Sequence, residues 1–280
     1  MKNILVLTDF SAVAFNAAGY AIKLAEALDA NVMVLHTYSA AESVPAGAWG
    51  EMPDEDEDHP EEKLHQFITR LQPVKNASDD HAPVIGYLSR EGAFCDEVCH
   101  VIKSGDVDLV VMGACPFDNF PEFLFGNHVY DVLENAGCPV LLIPEDATFK
   151  SIENIFYAAD LRYCDLKSIR LLTGLAKPFK ANISLLHVCA KGLPELSEEN
   201  GYAIFVDTIS PVIAYPPVSY HSVKNDSAKV VINSIIEKQQ LDVLAMAHRK
   251  NHVFTKLFSI KTQDNQAAYL HIPLLVMPIE

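Results

Sequence analysis

The stretch "GACPFDNFPEFLFGN", from Gly113 to Asn127, combines residue types and spacing suited to holding an anion. It follows the apolar run "VDLVVM" and precedes the helical pattern "HVYDVLENA". A glycine after a strand lets backbone approach a phosphate, and a helix N-terminus offers unpaired N–H groups with partial positive charge. Gly113 and Gly126 stand at those two places. Asn127 follows, and asparagine caps helices about as well as serine. Between the two glycines lie Pro116 and the phenylalanines Phe117, Phe120, Phe123 and Phe125. Proline removes a donor and fixes φ near about −65°. The loop therefore reads as a phosphate cradle damaged at one position and intact at its helix end.

The elements that must position this loop occur twice. "NILVLTD" at 3–9 matches "NIFYAAD" at 154–160, and "NVMVLH" at 31–36 matches "NISLLH" at 182–187, both at an offset of 151. "DLVVMG" at 108–113 matches "DVLAMA" at 242–247, and "PVLLIP" at 139–144 matches "PLLVMP" at 273–278, both at an offset of 134. The second copy is therefore 17 residues shorter in its middle. The first copy carries there the acidic, proline-containing run "EMPDEDEDHPEE" at 51–62, which reads as a solvated loop.

Each copy alternates short Val/Leu/Ile-rich runs with helical patterns, as expected of strands buried on both faces of a parallel sheet. Strands are predicted near 3–9, 31–37, 83–88, 107–112 and 139–143, and again near 153–159, 183–189, 217–222, 241–246 and 273–277. Ser11 is an N-cap candidate for a helix whose apolar face runs through Ala14, Ala17, Ala18, Ala21, Ala25 and Leu28. Further helices are predicted near 92–104 and 128–136. Pro139 and Pro273 suit the first residue of a strand, where a missing N–H is tolerated. A boundary near 147–151 divides the chain into domains 1–147 and 151–280. Sheets of this kind bind ligands at the carboxyl ends of their strands, where Asp9, Gly113 and Gly126 would meet.

The ordered set "ILVLTDFS" at 4–11, "VMVLH" at 32–36, "VDLVVMG" at 107–113, Gly126 and "AGCPVLLIP" at 136–144 resembles the universal stress protein family. The whole chain is similar to a tandem of two such domains. The resemblance implies an α/β fold of two repeated Rossmann-like domains, each a five-stranded, mostly parallel sheet with helices on both faces. It implies adenine nucleotide, ATP or AMP with Mg, in the first domain. The nucleotide-binding members have Gly, two residues, Gly, nine residues, Gly, then Ser or Thr. Here Gly113 and Gly126 match the first and third glycines, while Pro116 replaces the second and Asn127 replaces Ser or Thr. Asp9 matches the strand-one aspartate and Thr37 lies where strand two lines the base pocket. Thr8, Phe10, Met112, Cys115 and His128 complete the implied lining. His128 either reaches a phosphate or is an exposed first-turn residue. In the second copy the loop positions become Ala247, Lys250, Ile260 and Lys261, so no glycine remains and no cofactor is expected there. "HRK" at 248–250 is either a solvated turn or a different anion site.

Other candidates are blander. Phe120 aligns with Phe254, Phe123 with Leu257 and Leu124 with Phe258, which points to packing within or between the copies, the alternatives being an exposed partner site or a plug in the empty pocket. Cys95 and Cys99, one helical turn apart, read as small buried apolar residues, since no further ligand pair makes a metal site with them and His100. His36 and His187 read as structural. No GxSxG, no GxxxxGK[ST] and no paired loop carboxylates suggest catalysis. The six cysteines form no CxxC pair, no export signal or long apolar run is evident, and a cytoplasmic location follows as the expectation. The net charge of −16 disfavours nucleic acid and anionic membrane as partners. The sequence thus points to a non-catalytic stress-response protein whose halves pack as a pseudo-dimer, pair again as a homodimer, and hold nucleotide in the first half. The alternative is an interaction scaffold, with an unidentified protein partner, that has lost nucleotide binding in both halves.

Overall fold

The apolar runs of the sequence form ten strands of one sheet in the computed structural model, which describes residues 1–39, 59–71, 83–114, 126–158, 166–189, 197–213, 215, 218–224, 234, 240–248 and 271–278. The first half contains β1 (Asn3–Leu7), α1 (Ala12–Leu28), β2 (Asn31–Tyr38), α2 (Pro60–Leu71), β3 (Ile85–Glu91), α3 (Phe94–Ser104), β4 (Leu109–Ala114), α4 (Gly126–Asn135) and β5 (Val140–Pro144). The second contains β6 (Asn154–Ala158), α5 (Leu166–Ala176), β7 (Asn182–Cys189), α6 (Glu198–Ile204), β8 (Val218–Lys224), β9 (Val243–His248) and β10 (Leu274–Pro278). Strand order is β3-β2-β1-β4-β5-β10-β9-β6-β7-β8. Within each half all pairings are parallel; β5 and β10 run antiparallel and join the halves.

Alternation along each strand divides the core into two layers. Ile4, Val6, Val32, Val34, Val111 and Leu141 share one layer with α1 and α2, and the same layer continues through Ile155, Ile183, Val243 and Leu275 to α5. Leu5, Leu7, Leu35, Val110, Met112 and Leu142 share the other with α3 and α4, and it continues through Phe156, Leu244 and Val276. Both layers cross from one half to the other without a break. The connector is packed as well. Ala147 and Ile152 are buried, and Asn16 Nδ2 donates to the carbonyls of Pro144 and Ala147 at 3.0 and 2.8 Å. Tyr20 of α1 meets Phe149 edge-on at 5.0 Å, and Phe149 meets Phe179 of the second half at 6.0 Å.

The two halves also carry the same polar clasp where their strands begin. Asp108 Oδ2 accepts from the backbone N–H groups of Lys2 and Asn3 at 2.6 and 3.1 Å. Asp242 Oδ2 accepts from those of Glu153 and Asn154 at 2.7 and 2.9 Å. Asn3 Nδ2 reaches the Asp106 carbonyl and Asn154 Nδ2 that of Gln240. Asn31 and Asn182 donate to the side chains of Asn3 and Asn154. Each clasp fixes the register of three adjacent strands, and its residues stand at the two sequence offsets.

Three expectations change. Residues 60–62, read as solvated loop, form the first turn of α2, where Glu61 and Glu62 suit the positive end of the helix dipole. Helix α4 starts at Gly126, two residues before the expected start at 128. Cys95 and Cys99, expected buried, are half-buried, because they flank the edge of α3 rather than its buried line of Val98 and Val101.

The register of the seam gives a test. Leu141 opposes Leu275, flanked by Leu142–Leu274 and Val140–Val276. Leu141 and Leu275 are 1% and 0% exposed. Leu141→Ala and Leu275→Ala should each destabilise the chain by about 2–4 kcal/mol. The double variant should depart from the sum, because the two residues touch. Urea unfolding followed by far-ultraviolet circular dichroism and by tyrosine fluorescence should show one coincident transition for both halves.

Candidate functional site

In the first half the strand order reverses between β1 and β4, with α1 and α2 over one face and α3 and α4 over the other. A crevice opens at such a reversal, beyond the carboxyl ends of the two strands. Thr8, Asp9, Phe10, Gly113 and the start of α4 at Gly126 all belong to that edge.

The β1–α1 turn is held by its own side chains. Thr8 is buried, its backbone N–H donates to the Leu35 carbonyl at 3.0 Å, and its Oγ1 accepts from the Phe10 N–H at 3.0 Å. Exposed Asp9 accepts the Ser11 N–H on Oδ1 at 3.0 Å. Ser11 is the N-cap, as expected, and its Oγ accepts from the Ala14 N–H at 3.1 Å. These bonds require the chain to reverse at Phe10, whose φ is +65°. That region costs a non-glycine residue roughly 1–2 kcal/mol. The Phe10 ring offsets the cost by packing on His36 at 4.2 Å and edge-on to Phe67 at 5.8 Å. His36 Nδ1 lies 2.9 Å from the Thr8 carbonyl, a hydrogen bond that makes this histidine structural.

The β4 side is set by packing. Val6 pairs with Val111, so Gly113 stands level with Thr8 on the face that α1 covers. A Cβ on Gly113 would lie 2.7 Å from Val13 Cγ1 and 2.9 and 3.0 Å from the Val13 backbone C and O. Glycine is required here by the approach of the first turn of α1, whatever binds nearby. Met112 is buried on the opposite face, in the layer of α3 and α4. Thr37 is half-buried on β2, opposite Arg90, on the strand face that also carries Leu35. Exposed His128 leans its ring on Phe94 at the start of α3, at 4.7 Å.

The structure therefore brings Thr8, Asp9, Phe10 and Gly113 to one edge, with Met112 beneath it and Thr37 one strand away. Cys115, Pro116 and the phenylalanines of the loop lie outside the described residues, as do the side chains of Gly126 and Asn127 and, in the second half, residues 249–270. Sequence reasoning missed α2 and its Phe67, which closes the α1 side of the site. The amphipathic spacing of Leu64, Phe67, Ile68 and Leu71 was the available signal. Among the described residues, no group of three or more His, Cys, Asp or Glu side chains could hold a metal ion.

A thiol group lies behind the site. Cys95 and Cys99 sulfurs are 4.0 Å apart, and Cys95 reaches the Asp131 carbonyl at 3.6 Å. Burial, with smaller contributions from Cys99 and Asp108, pushes the Cys138 thiol up to about 12. The folded pKa lies above the ordinary value of 9.0, so the contribution of Cys138 to stability is full below pH 9.0 and is lost as pH rises toward about 12. Cys138→Ala should flatten that alkaline limb in thermal melts taken across the pH range. Independently, Gly113→Ala should destabilise the fold by about 1–3 kcal/mol, since the clash is with backbone as well as side chain, as read by urea denaturation.

Residues 1–144 match the model of the universal stress protein family. A universal stress protein of Methanocaldococcus jannaschii is 28% identical over 145 residues, which cover 51% of this chain and 81% of that protein. Among solved structures, a universal stress protein from Archaeoglobus fulgidus aligns over 99% of this chain and 96% of its own, with a TM-score of 0.67 at 14% identity. A putative universal stress protein from Pseudomonas aeruginosa aligns over 99% and 93%, with a TM-score of 0.57 at 14% identity. The two structural likenesses are of fold and extend across both halves. On the match over its first half, the chain belongs to the universal stress protein family.

Proposed function

We propose that the chain is a non-catalytic, cytoplasmic stress-response protein built from two universal stress protein domains, and that its first domain binds an adenine nucleotide. The observation that carries this reading is the division of labour at the first crevice. Ahead of α1, Thr8 and Asp9 hold the N–H groups of Phe10 and Ser11, and Ser11 caps the Ala14 N–H of its first turn, whereas α4 starts at Gly126 across the same edge. A phosphate at α1 would face the exposed Asp9 carboxylate and a first turn that Ser11 already caps. At α4 it would meet a helix N-terminus with its positive dipole end, with Gly126 and Asn127 supplying backbone and cap.

Asp9 then suits the uncharged end of the ligand. Its Oδ1 is engaged by Ser11, and the carboxylate is exposed to accept hydroxyl hydrogens of a ribose. Thr8, Phe10, Thr37 and Met112 line or underlie the base side and Gly113 and His128 the phosphate side, to which the family's loop pattern also assigns Cys115 and Pro116. A Mg ion would ride on the phosphate oxygens, as that ion often does, rather than in a protein cage.

The second domain repeats the strand order and the clasp but replaces the loop glycines by Ala247 and Ile260. No nucleotide is assigned to it. The two domains act as an internal pseudo-dimer, and any homodimer would use other surfaces. The competing reading is a scaffold for a protein partner. Its support is that Gly113 is explained by Val13 alone, so one surviving glycine says nothing about phosphate.

Calorimetric titration of nucleotide-stripped protein with Mg-ATP and AMP decides between them. Micromolar binding at one site per chain is expected. Gly126→Asp should abolish it while the far-ultraviolet spectrum is unchanged, because the new carboxylate faces the phosphate. No heat with either nucleotide in the wild-type chain would leave the scaffold.

A further inference from the structure

The second half holds a groove of about 320 Å³ that is unrelated to the crevice just described. One wall is α5 and the short 3-10 turn Lys177–Phe179 that extends it. The other is Ile213 and Tyr215, ahead of β8. The far wall is fixed, because the Tyr215 hydroxyl donates to the carbonyls of Ala176 and Ala181. The volume is at the lower end of the range of small-molecule sites, roughly 300–1,000 Å³.

The corresponding place in the first half is covered among the described residues. Asp29 and Lys180 end the two corresponding helices in the left-handed conformation, at φ 52° and 56°, which fixes the correspondence at the offset of 151. By that offset Leu166 matches Phe15, and Phe15 is covered by Phe67 of α2 at 5.5 Å and by Arg70 at 4.7 Å. In the second half the groove lies open, and its charges differ. Arg170 replaces Gly19 and Lys177 replaces Glu26, while Gly174 replaces Lys23. Both new cations are exposed and lack an ion-pair partner among the described residues. Two exposed cations along this groove, without an ion-pair partner among the described residues and in a chain of net charge −16, mark a local preference for anions.

Spacing narrows the ligand. Arg170 and Lys177 are seven residues apart on one helical stripe, about 10 Å along the axis. That is too far for one carboxylate to be shared at the two Cα levels. Between them on the helix lie Thr173 and Gly174, and Ile169 and Ile213 also line the groove. A Cβ on Gly174 would meet nothing within 4 Å, so the middle of the groove is clear. We propose that this groove binds a linear organic dianion of the α,ω-dicarboxylate class. Its apolar middle lies along Gly174 and Ile213, and its two ends pair with Arg170 and Lys177. An acidic peptide could span the same distance, but the hydroxyls among the described lining, those of Thr173 and Tyr215, already donate to backbone carbonyls and leave its amide groups poorly matched.

The test titrates the full chain calorimetrically with α,ω-dicarboxylates from succinate to dodecanedioate and with length-matched monocarboxylates, at fixed ionic strength. Affinity should peak at an intermediate length, with one site per chain, and matched monocarboxylates should bind about tenfold more weakly. R170M and K177M should each reduce the dicarboxylate to the monocarboxylate level. G174F should fill the groove and remove binding without lowering the thermal midpoint, since glycine is the poorer helix former. Should G174F not fold, the two exposed charge variants still decide. No heat at any length, an affinity indifferent to the second carboxylate, or binding retained in folded G174F would each overturn the proposal. So would an acidic peptide of equal span that binds more tightly.

Discussion

The antiparallel pairing of β5 with β10 is the constraint on which the molecule depends. Leu141 opposes Leu275, its own counterpart at the offset of 134, so a local two-fold passes between them. Such a contact is self-complementary: Leu142 meets Leu274 as Val276 meets Val140. It removes the inner edge of both half-sheets and lets the two core layers run unbroken from one half into the other. It also reverses strand direction at the seam, so the carboxyl edges of the two halves face opposite ends of the molecule.

The periodic features were open to reading in the sequence. Strands with two buried faces announce themselves as runs such as "ILVL" and "LVVM", and the Ser11 cap needs only a serine ahead of an apolar stripe. The repeated Asn and Asp positions were visible as matches, and the clasps supply their physical reason, since each carboxylate ties down two backbone N–H groups. What stayed hidden depends on contacts between distant residues. Gly113 looked like a ligand glycine, but the body of Val13, a hundred residues earlier in the chain, already demands it. Nothing local announces a phenylalanine at φ +65°, because the packing of Phe10 on His36 and Phe67 holds it there. The nearness of Cys138 to Cys99 was equally invisible, as it arises from the packing of α3 beside the entry to β5.

Electrostatics and geometry at the first crevice reinforce each other. Two helices begin at its edge, and the sequence treats them oppositely. α1 is closed by a serine cap and an acidic residue beside it, while α4 opens with glycine and asparagine. On the function proposed above, an anion is steered to α4 and an uncharged donor group to Asp9. The second half keeps the scaffold and changes its surfaces, with Arg170 and Lys177 on α5 where the first half has glycine and glutamate.

The seam has a consequence for how such a molecule changes over time. In a dimer of two identical chains, every substitution appears on both sides of the axis, so a loop cannot be lost from one side and kept on the other. Here the partners across the axis are encoded separately and remain together at fixed one-to-one proportion. The Leu141–Leu275 contact holds the pair regardless of what happens at either distal edge. Each half is therefore released from the sequence of its twin. One can keep its glycines while the other exchanges them for bulk and charge, and the shared core tolerates the asymmetry.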